Sequence, residues 1–525
     1  MFAIPIALMG VEEMGSGKRG VHLLVAAVVG ATLALGYTVL GFGAPEEQPR
    51  RGGVLRVADE APGGPFGVPW KMPVFGIIPA VPVYETLLWV DARGQVSPKL
   101  ASQWEVTPDR KGIIFRLRQG VRFHDGSELD ADAVKFSLEE NLKARRLPPT
   151  IRSVDVLDRS TVRVNLSQWN NGIYLSLAGS ASLIASPTHI RRLGEERAVW
   201  EPSGTGPFRL TQYDPNAFAM YTRFDRYWDR GKPYLDRLEL WFIRSIQTLK
   251  AAMLAGQVDV GGFGDPQVVS ELQATGRFRV ISGLHRGILM LIPDSANEDS
   301  PFADRRVREA LQYAFDRAAL ARALGYGLWE PWDQIAHPES PAALKDDRRP
   351  AYSPARAREL LAQAGYPNGF RTKLIPAPFL TREIAVAIHR YLQEVGIEAE
   401  LETPEIARYA EYQRRGWRGL LVQPFGYFPY FNNYVAFYFT NSPEGFVSMR
   451  RPPQLQRLWE DSVATLTPQR YRLQLMHRLL LQEHTVIPLW LAGRYYVTRP
   501  EARGTGHLQG STWPWWTPAN AWVTR

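Results

Sequence analysis

The chain predicts an α/β protein of more than one domain, and three observations carry that prediction. At 525 residues it exceeds what one hydrophobic core usually serves, so two or three domains are expected. From Thr372 to Gln423 short apolar strands alternate with helices, a pattern that implies right-handed crossovers and a largely parallel sheet. From Pro98 to Asn170 the chain reads instead as several strands and a single helix.

Composition removes several function classes. A hydrophobic fraction of 45% is ordinary for a soluble protein and excludes a polytopic membrane protein. With no cysteine there is no thiolate nucleophile, Cys-ligated metal or disulfide. Glu12 and Glu13 offset Lys18 and Arg19, so the chain beyond residue 44 keeps the whole formal charge of +9. Lys and Arg are scattered, with no basic stripe interleaved with aromatics, so no nucleic-acid partner is expected. The excess charge suits anionic headgroups or anionic ligands.

Taken in order, residues 1–44 read as a signal peptide or an N-terminal anchor. Lys18-Arg19 precede Val21–Leu40, an apolar run about long enough to cross a bilayer, which needs roughly 20 residues. Both Met1 and Met14 are candidate starts, and both cleavage after Gly43 and retention stay open. A linker, 45–51, leads to a strand beginning near Val54. Ile113, Phe115 and Leu117 alternate with Ile114, Arg116 and Arg118 in a strand with one apolar face. Asp125-Gly126 turns the chain. Asp130 caps a helix whose Ala131, Val134, Leu138 and Leu142 share a stripe. A strand over 238–243, a helix ending near Gly256 and a strand from Val258 follow. Asp304 caps another helix, and Ser353-Pro354 starts one that Gly365 ends. After Gln423 come two more helices, an apolar strand over Val486–Leu491 and a Trp-rich tail.

The wording of the chain also resembles a family. Pro98, Leu100-Ala101, Trp104-Glu105, Asp109, Phe115-Arg116-Leu117-Arg118, Val121, Phe123-His124-Asp125-Gly126, Ala131-Asp132-Ala133-Val134 and Phe136-Ser137 form a long ordered signature. It is similar to that of the large solute-binding proteins that feed peptide, oligosaccharide, nickel and opine ABC importers. Gly52-Gly53-Val54-Leu55, Ser203 to Phe208, Asp225 to Trp228, Pro301-Phe302 and Asp316-Arg317 continue the likeness. The resemblance implies a two-lobed periplasmic-binding-protein fold, type II, in its large cluster C form, with an inserted α+β subdomain. Lobe I would comprise 52–80, 200–284 and 491–525, the inserted subdomain 81–199, and lobe II 285–490, with hinges near 284 and 490. It further implies an exported protein that is not an enzyme, needs no cofactor or metal, binds a small solute (a peptide or oligosaccharide) and partners an ABC permease, with the membrane surface reached through the N-terminal segment.

His124-Asp125 imitates a catalytic pair, but no Gly-x-Ser-x-Gly elbow accompanies it, and the other histidines lack metal spacing. Nine of the fifteen residues from Phe425 to Phe439 are aromatic. Gly426, Pro429, Asn432 and Asn433 break their period, so the segment reads either as core or as an irregular stacking platform. Tyr427, Tyr430, Asn432 and Asn433 are its candidate ligand contacts. Gly416-Trp417-Arg418-Gly419 resembles the peptide-binding branch, in which an Asp follows to pair with the peptide amine. Leu420 stands in that place, and Gln423-Pro424 replaces an acidic-Pro pair. A buried ammonium without a carboxylate is costly, so Trp417 and Gln423 are expected beside an uncharged or differently charged ligand. Family position adds Glu60, Trp70, His285 and Trp490. The rival functions are a membrane-tethered hydrolase and a sensor that presents ligand to a receptor.

Overall fold

The computed structural model describes residues 48–59, 64–73, 77–91, 93–282, 287–345, 351–440, 445–505 and 517–524. The expected leader or anchor, residues 45–47 of the linker, Glu60, His285 and Trp513, Trp515 and Trp516 lie outside the described residues.

Two large sheets organise the chain. The first has seven strands in the order Arg279–Ser282, Tyr495–Thr498, Val260–Phe263, Val54–Asp59, Arg237–Phe242, Phe218–Arg223, Phe208–Asp214. Val54–Asp59 is central and parallel to both neighbours, while the remaining pairs are antiparallel. Strand residues alternate between faces. Leu55, Val57, Leu238, Leu240 and Phe242 therefore enter one core, while Ala58 and Trp241 join another with Met253, Val269 and Phe263.

The second sheet has six strands in the order Glu330–Pro331, Ile487–Ala492, Gly287–Pro293, Leu420–Phe425, Phe370–Pro376, Ile397–Leu401. Phe370–Pro376 is parallel to both its neighbours, Ile397–Leu401 and Leu420–Phe425, and the other pairs are antiparallel. Gly287–Pro293 pairs antiparallel on both sides. The expected largely parallel sheet is thus half right: the local strand–helix alternation builds the parallel half. The antiparallel half comes from strands that enter and leave the sheet at the chain's crossings. Gly287–Pro293 is buried throughout, Ile288, Met290 and Ile292 on one face, Leu289 and Leu291 on the other.

The chain passes between the sheets twice. It goes from Arg279–Ser282 to Gly287–Pro293, and from Ile487–Ala492 through Gly493 and Arg494 to Tyr495–Thr498. A third, antiparallel sheet of Ala101–Val106, Gly112–Leu117, Thr161–Leu166 and Ile151–Asp158 carries the helix Ala131–Lys143. The Asp130 carboxylate accepts from Ala133 N–H at 2.9 Å, the expected cap. Buried Glu85 ties this unit to residues 205–228. It pairs with Lys99 at 3.0 Å and accepts from Thr205, Tyr227 and Trp228 at 2.9, 2.8 and 2.7 Å.

The aromatic segment departs from expectation. Phe431–Tyr438 is a helix, and Phe431, Tyr434, Val435 and Tyr438 are buried at i, i+3, i+4 and i+7. The rings do form one stripe; only 426–430 is irregular.

Candidate functional site

Beyond the end of the strand Leu420–Phe425 four of the expected contacts, Tyr427, Tyr430, Asn432 and Asn433, follow one another. Beyond it, Gly426 turns the chain, and its N–H donates to the Tyr438 hydroxyl at 3.0 Å. Phe425 stacks on Tyr438 at 4.0 Å, which fixes the first turn of the loop against the helix. Tyr427 then lies against the His337 ring at 4.7 Å, and Tyr430 is buried in the core of the four-stranded sheet. The turn that joins Leu88–Val90 to Val96–Pro98 meets this loop: a Cβ on Gly94 would stand 2.7 Å from Tyr430 Cε1. Burial, then the Glu339 and Asp91 carboxylates, hold the Tyr427 phenol above its ordinary value. Burial, with Tyr174 and Asp91, does the same for Tyr430.

Asn432 and Asn433 make the rest of the seam. Asn432 is 1% exposed; its Nδ2 donates to Asn171 Oδ1 at 3.1 Å and its Oδ1 accepts from Ser462 Oγ at 2.8 Å. Asn171, fully buried, donates through Nδ2 to Ser462 O at 2.8 Å and through its backbone N–H to Val463 O at 2.9 Å. Arg110 donates to Ala464 O and Trp169 to Thr465 O, both at 3.0 Å. The helix Leu455–Val463 ends here, and a helix's last carbonyls have no partner of their own. Residues 110–171 supply those partners, and Arg110 complements the negative end of the dipole. Gly172 is pressed on Asn433, where a Cβ would meet the amide at 2.8 Å.

A small cavity lies under the loop. It measures about 10 Å3, the space of one water, and is lined by Ile288, Ile335, His337, Phe428, Phe431 and Tyr434 among others.

On the seven-stranded sheet, Asp59 ends the central parallel strand and is buried. Arg494, in the second crossing, donates to Asp59 Oδ1 and to Gly262 O, each at 3.0 Å. Gly262 leaves room for the pair, since a Cβ there would lie 2.6 Å from Asp59 Oδ2. Open α/β sheets hold ligands outside the carboxyl ends of their parallel strands, and this pair stands at that edge. No sequence pattern pointed to Arg494 or Asn171, because each acquires its partner through long-range folding.

Three expected contacts are core side chains instead. Trp70 sits edge-on to Phe136 and donates to Glu195 Oε1 at 3.1 Å. Trp417 is buried at the start of Leu420–Phe425, the far end from the loop, and donates to Gly419 O at 3.2 Å. Leu420 is likewise inside the sheet, so the missing carboxylate there says nothing about a ligand amine. Trp490 is fully buried, opposite Leu289 and stacked on Trp329 at 5.4 Å. Gln423 is half-buried and accepts from Gln413 Nε2 at 2.5 Å. Among the described residues no cluster of three His, Asp or Glu could hold a metal, and no helix is long and apolar enough to cross a membrane.

The architecture has solved counterparts. HbpA2 from Haemophilus parasuis superposes with a TM-score of 0.79 at 20% identity, covering 90% of this chain and 100% of that one. The periplasmic binding protein DppA from Helicobacter pylori, in complex with the peptide STSA, superposes at 0.73 with 19% identity, covering 91% and 99%. In sequence, the glutathione-binding protein GsiB of Shigella flexneri serotype 5b is 30% identical over 353 residues, 65% of this chain and 68% of that protein. Residues 95–446 match the bacterial extracellular solute-binding proteins, family 5 Middle, and the chain belongs to that family of ABC-importer solute-binding proteins, whose members bind their solutes and are not enzymes.

Proposed function

We propose that the chain captures a peptide or a related small solute at the seam around 426–433 and hands it to a membrane permease. The observation that supports this reading is the meeting of the Gly426–Tyr430 loop with the Gly94 turn, two segments more than 300 residues apart, beside a small cavity that the loop's rings line with Ile288, Ile335 and His337. Two bodies joined by two chain passages can close on a ligand by hinge motion, and the ligand favours the closed form because only that form touches it from both sides. Micromolar capture needs about −8 kcal/mol, within reach of a few ring contacts and backbone hydrogen bonds. The basic pair Lys18-Arg19 before Val21–Leu40 supports work outside the cytoplasmic membrane, after export or from a retained anchor.

Calorimetric titration with short peptides, glutathione, and glucose- or xylose-type oligosaccharides tests the reading. A peptide bound with micromolar affinity, with a raised melting temperature, is expected. Silence from every solute class ends it.

A further inference from the structure

We propose that a cleft at one end of the four-stranded sheet binds a phosphomonoester, with Arg116 and Arg118 as its counter-charges. The site is separate from the seam and does not rest on solute capture there.

Strand alternation and a bulge build the cleft. Phe115 and Leu117 enter the core on one face of the sheet, so Arg116 and, just past the strand's end, Arg118 emerge on the other. The bulge between Ala101 and Gln103 brings Ser102 to Arg116, whose carbonyl accepts from the Ser102 hydroxyl at 3.1 Å. On the other neighbouring strand Thr161 pairs with Arg116, and Ser160 O accepts from Leu117 N–H at 2.8 Å. Ser102, Arg116, Arg118, Ser160, Thr161 and Trp228 line a cleft of about 500 Å3, within the roughly 300–1,000 Å3 of small-molecule sites. Arg116 stands roughly 13 Å along its strand from Gly112, the end that reaches the seam through Arg110.

The two guanidiniums are set for an oxyanion. Arg118 lies over the Trp228 ring at 4.6 Å and donates from Nε to Lys99 O. That fixes the group and leaves its Nη1 and Nη2 edge without a hydrogen bond among the described residues. Arg116, exposed at the cleft, makes no side-chain hydrogen bond or ion pair among the described residues and acts on Asp158 through its charge alone. Asp158 is satisfied by other groups: the Ser160 N–H donates to it at 2.7 Å and the Ser160 hydroxyl at 3.1 Å. Glu85, which accepts from Trp228 Nε1 at 2.7 Å, is matched by Lys99 at 3.0 Å. Among the described residues that line the cleft none is acidic. A planar guanidinium fork fits phosphate or carboxylate in bidentate fashion. Two such forks favour a phosphomonoester, which carries about −1.5 to −2 at pH 7, over a carboxylate of single charge. The formal charge of +9 draws an anion in, and the Trp228 ring gives the organic body of the ester a flat wall.

The experiment uses the full chain and four probes, O-phosphoserine, serine, glutamate and inorganic phosphate, titrated by calorimetry near neutral pH at low salt. O-Phosphoserine is expected to bind roughly 10-fold tighter than serine or glutamate, and the gap should shrink as sodium chloride is added. Inorganic phosphate of equal affinity assigns the cleft to the free ion, and of lower affinity to a phosphate borne on an organic body; both results support the site. Arg116→Gln changes an exposed side chain, so it should keep the native melting temperature and lose roughly 10-fold in phosphoserine affinity. Arg118→Lys keeps the charge but loses the fork, and should also bind more weakly. Equal affinity for phosphoserine and serine, undiminished phosphoserine affinity in the folded Arg116→Gln variant, or a crystal structure with the phosphate bound away from Arg116 and Arg118 each overturns the proposal. So does a chain that binds phosphatidylglycerol vesicles through Arg116 yet ignores phosphoserine, since this face would then be a membrane contact.

Discussion

Asn432 Nδ2 donates to Asn171 Oδ1 across 3.1 Å, joining two side chains 261 residues apart that are both removed from water. Asn171 also donates to Ser462 O, which keeps the Thr465 hydroxyl as a second donor, so its loss strands one buried donor, Asn432 Nδ2. An unsatisfied buried polar group costs about 1–3 kcal/mol. Asn171→Ala is expected to lower stability by that order in urea titrations. On the proposed hinge closure it should also speed solute release in stopped-flow, because the bond spans the proposed seam. Unchanged release with lowered stability would make the bond structural only.

Asp59 and Arg494 form the second long-range pair. Breaking a fully buried pair costs about 3–5 kcal/mol; with Arg494 partly exposed, about 2–3 kcal/mol is expected for Arg494→Leu, read from the urea midpoint. Asp59→Asn in the same chain should restore part of the loss, since the stranded charge goes with it. A double variant no better than the single one would refute charge stranding as the cause.

Local order was legible and long-range pairing was not. The caps at Asp130, Asp304 and Ser353 each accept the backbone N–H that the sequence predicted, because a cap is decided within four residues. The strand at Gly112–Leu117 follows from its alternation. The helix Phe431–Tyr438 was hidden because exposed Phe437 puts a ring outside the buried stripe and Gly426 and Pro429 precede it. Trp417 was misplaced because a resemblance in wording does not say which end of a strand a residue occupies. Trp70 and Trp490 show that a large ring near a crossing is first a packing element. Tyr427, Tyr430, Asn432 and Asn433 stand out in the sequence through their density of rings and amides, while Asn171 and Arg494 carry no local signal at all.

His124 gives a dependence on pH. Its Nε2 lies 2.9 Å from Gly206 O, so that nitrogen carries the proton of the neutral ring, and burial pushes its pKa down to about 4. The unfolded chain titrates near 6.5, so between about 6.5 and 4 the unfolded state binds the extra proton. This contribution is complete above about pH 6.5 and is lost as pH falls toward 4, to the order of ~3 kcal/mol. Urea midpoints measured across that window should fall more steeply for the native chain than for His124→Asn. Parallel profiles would show that other groups set the slope.

Gly94 is the narrowest point of the seam, and it yields a controlled comparison. It has φ of +80°, and a Cβ there would stand 2.7 Å from Tyr430 Cε1 and 3.2 Å from Pro429 O. Gly120 has nearly the same backbone, φ +74°, and nothing within 4 Å of a Cβ. Alanine at either position pays the left-handed penalty of about 1–2 kcal/mol. Only Gly94→Ala also drives a methyl into the Tyr430 ring, and overpacking adds about 1–3 kcal/mol unless the loop retreats. Retreat of the loop moves Tyr427 away from Asp91 and loosens the cavity. Gly120→Ala is therefore expected to lower the melting temperature and leave solute affinity intact, whereas Gly94→Ala should lower both. Equal affinities in the two variants, measured with the same peptide at a temperature where both are folded, would separate the Gly94 turn from solute binding and confine its role to packing.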